Sequence, residues 1–248
     1  VSFRLNMLMV LEQLASIGFQ TFFKAFIVHG ILFGTFLFIT YRILKRDRKW
    51  LNLLISLFYI FTAVGFFLNF LFVILSTEPF AEVVEILYHF TLFFLLLGTF
   101  ILTVFTFLLL KTEALFSRTS QILSIILYGT LLSVLFFIPN GVTIHSSTNW
   151  NPVYNLPYFL YTMFLFSVFS VFPQLYGFIK IYARLTQEQL KKRWTSFGLG
   201  LIIVYIFAYG TLIYNFLDVD MIRLIFGYIS LICAVSSAIL IYFGIAKM

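Results

Sequence analysis

The chain has 248 residues, of which 62% are apolar, 21% aromatic and only 10% charged, with a formal net charge of +7. A soluble domain carries about a quarter charged residues, so a water-soluble enzyme or nucleic-acid-binding module is excluded. The apolar residues gather in runs near the ~20 residues that a helix needs to cross a hydrocarbon layer about 30 Å thick. The expected fold class is therefore an all-α membrane protein, a seven-transmembrane helix bundle, with the lipid bilayer as its first partner.

Residues 1–22 are apolar but interrupted by Arg4, Glu12, Gln13 and Gln20, a pattern that predicts an interfacial N-terminal helix rather than a span. The seven-helix domain then occupies 23–248, with apolar runs at 23–44, 51–75, 86–110, 120–138, 157–181, 195–217 and 223–246. A start at Val1 and a stop as the last run ends predict a domain cut from a longer protein. The first run carries Gly30 and Gly34 as a GxxxG pair, a close-packing face that serves either within the bundle or between the protomers of a homodimer. In the loop before the sixth run, Thr186 and Gln189 read as a capping box, with the helix beginning near Gln187.

The loops fix a direction. Arg42, Lys45, Arg46, Arg48, Lys49, Lys111, Arg118, Lys180, Arg184, Lys191, Lys192, Arg193 and Lys247 all fall on one side, thirteen of the sixteen basic residues. Arg4, Lys24 and Arg223 fall on the other. Short basic loops stay in the cytoplasm, which places the N-terminus outside and the C-terminus inside a cell (plasma) membrane. Trp50 and Trp194 abut basic clusters and are expected at the interface. The longest polar loop, NGVTIHSSTNWNPVYNLP (140–157), has no Lys, Arg, Asp or Glu and is expected outside.

Chemistry at depth is sparse. All nine carboxylates lie away from the centres of the runs, against the buried ionisable groups that an ion-coupled transporter or proton pump retains. The last run has no central Lys for a retinal Schiff base. No HExxH, paired aspartates or GxSxG is present, so no catalytic residue, metal site or cofactor is expected in this segment. Lone Cys233 forms no intramolecular disulfide.

What remains polar clusters towards the outer half. His29, His89 and His145 are the three histidines, and Asn69 and Asn215 sit in the outer halves of the second and sixth runs. The histidines read either as a pH or metal sensor or as three unrelated interfacial residues; each Asn reads either as an interhelical hydrogen bond or as a ligand contact. With Trp150 and Tyr154, the residues His29, Asn69, His89 and Asn215 form the expected ligand-binding set, an aromatic-lined cavity under a neutral lid. Pro173 and Gln174, in the inner half of the fifth run, are the expected relay. Proline kinks the helix and the freed carbonyl is met by Gln174, as a static kink or as a hinge.

The segments NWNPVYNLPYFLY and LKKRWTSFGLGLII carry Trp150, Pro152 and Tyr154, then Lys191 to Arg193 and Gly198 to Gly200. On these residues the chain resembles the N-terminal seven-helix sensor region of prokaryotic histidine kinases and related signalling proteins. The resemblance implies a sensory or receptor domain followed by a cytoplasmic signalling module, a kinase or cyclase, in the same or a partner chain. The competing expectation is a small transporter, channel subunit or lipid-handling protein that needs no output domain.

Overall fold

The computed structural model describes residues 27–111 and 116–245. The expected interfacial helix at 1–22 and the start of the first run lie outside the described residues. Eight α-helices follow: α1 (Gly30–Arg46), α2 (Trp50–Ile74), α3 (Ala81–Leu110), α4 (Arg118–Ser133), α5 (Leu156–Leu165), α6 (Phe172–Arg184), α7 (Glu188–Leu217) and α8 (Asp220–Ile245). A π-helical segment, Phe166–Val171, joins α5 to α6 in one rod. Six helices among the described residues are long and apolar enough to cross a membrane: Ile27–Arg46, Trp50–Ile74, Glu78–Leu110, Arg118–Phe137, Leu156–Arg184 and Glu188–Leu217. The protein is a multi-pass helical membrane bundle. The apolar stretch of α8, Ile229–Ile245, is shorter than these six.

The helix starts follow local chemistry. Ser117 caps α4 by accepting from the Ser120 amide, and Asn155 caps α5 by accepting from the Tyr158 amide at 2.9 Å. Pro157 follows at a first-turn position, where its missing N–H costs nothing. The start of α7 departs from expectation by one residue. Gln187, not Thr186, holds the cap position, and no side chain caps the helix.

α3 is the central helix: 67% of its apolar core is buried, against 22% to 39% in the other five spans. α1 packs on α2, α2 on α3, α7 on α8, and α8 returns to α1, while α4 and α6 lie against α3. Small residues permit the closest approaches. A Cβ on Gly244 would meet the Phe197 backbone nitrogen at 2.8 Å, and one on Gly200 the Ile241 nitrogen at 3.0 Å. At Gly30 and Gly34 the same construction meets nothing within 4 Å. Among the described residues, no helix packs closely on the GxxxG face. Trp194 is fully buried between helices, stacked on Phe178 and donating to the Phe178 carbonyl at 3.0 Å. Trp50 is half-buried, under the Arg118 guanidinium at 5.6 Å and bonded to Gln121.

The α5–α6 rod buries Tyr158, Thr162, Phe166, Ser170 and Gln174, every fourth residue, each at 0% exposure. An α-helix advances about 100° per residue, so a four-residue step drifts about 40° and four steps drift about 160°. A pure α-helix would turn Gln174 nearly opposite Tyr158. The wider π turns absorb that drift and keep the stripe on the buried side of the rod, with Tyr158, Ser170 and Gln174 on α3 and Phe166 against Tyr205 and Tyr209 of α7. Thr103 of α3 donates to the Ser170 carbonyl at 3.1 Å, beside the site where Pro173 lacks an N–H. Gln174 does not meet a freed carbonyl, as the sequence suggested; its Nε2 donates to Thr106 on α3 at 2.7 Å.

The loop from Asn140 to Pro157 folds back as a lid. Val142 pairs with Tyr154 and Thr143 with Val153 in a two-stranded antiparallel ribbon. Between the strands, the Thr148 hydroxyl closes a tight turn on His145. Asn149 and Trp150 both follow with positive φ, at 50° and 58°. Asn tolerates that backbone, but a Trp there carries steric strain of about 1–2 kcal/mol.

Candidate ligand-binding cavity

α1, α2, α3, α7 and α8 leave a cavity of about 630 Å³ between them, roofed by Asn149, Trp150, Asn151 and Pro152 of the lid. It runs from the lid towards the middle of the bundle. On α7 it extends from Asn215 to Val204, about 16 Å at the rise of a helix. Its deeper wall is apolar and includes Phe36, Phe58, Phe66, Leu92, Leu96 and Val204. Hydroxyls do interrupt this wall, but Thr62, Thr91, Thr99 and Thr211 each donate to a carbonyl of their own helix. That keeps the lane apolar in effect, since a serine or threonine proton already donated asks nothing of a ligand.

Polar groups gather near the lid in three sets. His29, entering α1, lies with Nε2 at 2.7 Å from Asn69 Nδ2 on α2. Asn215 on α7 donates to the hydroxyls of Tyr88 on α3, at 2.9 Å, and Tyr154 on the lid, at 3.3 Å. The two phenols also hydrogen-bond each other. Tyr154 lies outside the spans, and burial drives its pKa well above the ordinary tyrosine value, against the opposing pull of Tyr88 and Asn215. It stays a neutral hydroxyl at physiological pH. The third set is Arg223 on α8, whose guanidinium lies 2.6 Å from the Asp218 carboxylate and donates to the Pro152 carbonyl at 3.0 Å. Arg223 therefore ties the lid to the α7–α8 turn, where Asp218 takes the left-handed conformation at φ 53°.

Of the six residues expected to bind ligand, His29, Asn69, Trp150 and Asn215 line the cavity. Tyr154 stands one shell behind, bonded to Asn215. His89 is not part of the wall. Its Nδ1 lies 2.9 Å from the Glu85 carbonyl, and its ring packs between Phe136 and Tyr158 on the far side of α3. His145 forms the lid turn, so the three histidines do not share a site. Pro173 and Gln174 lie on the α5–α6 rod, away from the cavity.

Tyr88 and Arg223 line the cavity but were absent from the expected set. Arg223 had a signal: it was one of three basic residues on the side that the positive bias leaves bare. Among the described residues no group of three His, Cys, Asp or Glu side chains comes together as a metal site. Compared with family models, curated proteins and solved structures, the chain matches none.

Proposed function

We propose that the chain is the membrane-embedded sensory domain of a signalling protein, binding a small or lipidic ligand in the lid-end cavity. The observation that carries this reading is the cavity itself. Its volume of about 630 Å³ falls within the ~300–1,000 Å³ of small-molecule sites, and it has their pattern of apolar walls with a few convergent polar groups. A strained, uncharged lid is a second mark of the same kind, since backbone strain is retained where it serves a site.

In this reading α8 is the seventh span, the N-terminus is outside and the C-terminus enters the cytoplasm of a plasma-membrane protein. The basic loop residues support that direction. The α5–α6 rod, with its π segment and Pro173, relays occupancy towards the basic end, where a kinase, cyclase or similar module receives it. The family resemblance of the two quoted segments supports the same assignment.

The test uses the purified chain in nanodiscs. A lipid extract of its native membrane is expected to raise the unfolding temperature, and Trp150→Ala to reduce that rise while leaving the helical signal intact. An extract that stabilises neither protein overturns the receptor reading. A parent gene with no cytoplasmic module overturns the signalling half alone.

A further inference from the structure

The polar end of the cavity can be accounted for proton by proton. Asn215 Nδ2 has two hydrogens, and both are used, on Tyr88 and Tyr154. The hydrogen bond between the phenols consumes one phenol proton and leaves the other. That bond also orients the amide. Were its carbonyl turned towards the two hydroxyls, only one phenol proton would remain to meet it. What is left over is one phenol proton and Asn215 Oδ1, which is buried with no partner among the described residues. Tyr88 and Asn215 line the cavity and Tyr154 does not. When Tyr154 donates to Tyr88, the spare proton belongs to the residue on the cavity wall.

A group that satisfies both leftovers must donate to Oδ1 and accept from the Tyr88 hydroxyl. Amides and alcohols do so; a carboxylate has no proton to give. Arg223 at first suggests an anion. Its guanidinium, however, already faces Asp218 at 2.6 Å, so an ionised head would have to compete with that carboxylate and shed its own water. A neutral head does neither. Beyond it, the lane along α7 is too long for a head group alone and is walled by apolar side chains.

We propose that the cavity takes a long-chain amphiphile whose neutral head, an amide or a hydroxyl, sits on Asn215 and Tyr88, with its hydrocarbon chain running towards Val204. This rests on reading the cavity as a ligand site. Relief of a buried unpaired acceptor is worth roughly tenfold in affinity, and that sets the expected preference.

The experiment measures Kd for dodecanamide, dodecyl alcohol and dodecanoate at neutral pH with the protein in nanodiscs, correcting each for partition into empty discs. The amide and alcohol are expected to bind about tenfold tighter than the carboxylate. Asn215→Leu is expected to erase that preference while retaining chain binding. Tyr88→Phe, which removes the donor, is expected to weaken all three ligands while leaving the amide and alcohol ahead of the carboxylate, since Asn215 Oδ1 remains. Equal binding of all three, unmoved by either variant, overturns the head-group assignment and leaves the cavity as a lipid site. Tightest binding by dodecanoate, lost in Arg223→Gln, replaces it with an acid-binding site. Binding by none of the three beyond empty discs overturns both this proposal and the ligand-site reading of the cavity.

Discussion

Gln174 is buried with its amide nitrogen on Thr106 and its carbonyl oxygen without a partner among the described residues. Thr106 loses little if Gln174 is removed, because its own proton goes to the Leu102 carbonyl. Gln174→Leu is therefore expected to stabilise the bundle by about 1 kcal/mol, since it removes an unmet buried acceptor. Thr106→Val, which strands the amide, is expected to cost about 1–2 kcal/mol. Unfolding midpoints in one detergent compare the two, and a destabilised Gln174→Leu refutes the account. Trp150 offers a second contrast. Trp150→Gly relieves the left-handed backbone that Trp150→Ala retains, so the glycine variant is expected to be the more stable of the two by about 1 kcal/mol. Single residues were only half legible in the sequence. Position along an apolar run placed Asn69 and Asn215 near the lid, because depth follows from counting. Their partners come from other runs, His29 and Tyr88, or from the lid, Tyr154, and no spacing within one run encodes a neighbour.

At the scale of elements, the glycines divide into those that are filled against and those that are not. Gly244→Ala forces a methyl into the α7 backbone at Phe197 and is expected to cost about 1–3 kcal/mol. Gly30→Ala and Gly34→Ala meet open space and are expected to be neutral or stabilising by up to about 1 kcal/mol through helix propensity. Thermal unfolding of the monomer in detergent separates the two classes. The GxxxG spacing left the interior and a second protomer equally open, because it describes one helix and is silent about whether another faces it. The packing of Trp194 was likewise not encoded: adjacency to Lys191, Lys192 and Arg193 in sequence does not reveal that Phe178 of α6 stacks on its ring. The lid is tied to the helices at Tyr154, by Tyr88 and Asn215, and at Pro152, by Arg223. Arg223→Ala removes its bond to Pro152, and amide exchange across 140–157 is expected to quicken at least severalfold while α3 stays protected. Unchanged exchange in the lid would mean that the ribbon, Asn155 and the Tyr154 hydrogen bonds hold it without Arg223.

For the whole molecule, the decisive measurement is sidedness. Single cysteines at Asp47 and Glu188 are expected to react with impermeant reagents only from the cytoplasm, and one at Ser147 only from outside; the opposite pattern inverts the proposed direction of signalling. That the chain forms a bundle of membrane-crossing helices was readable, since bilayer thickness dictates run length. The closed order in which α8 returns to α1 around a cavity was not, because packing partners among uniformly apolar helices differ by shape alone. One feature of that packing bears on how the gene can change. The π segment keeps a four-residue stripe in phase with α3 by holding surplus chain, so the rod works like a gear with an extra tooth. Deleting one residue within 166–171 is expected to remove that surplus and restore an ordinary helix with Gln174 still beside Thr106, whereas a deletion in the regular turns of α6 would turn everything after it by about 100°. Substitutions there alter one contact. A lost codon in those regular turns alters the mesh of every contact from there to Arg184, which makes reading-frame-preserving deletions far less tolerable in α6 than in the π segment.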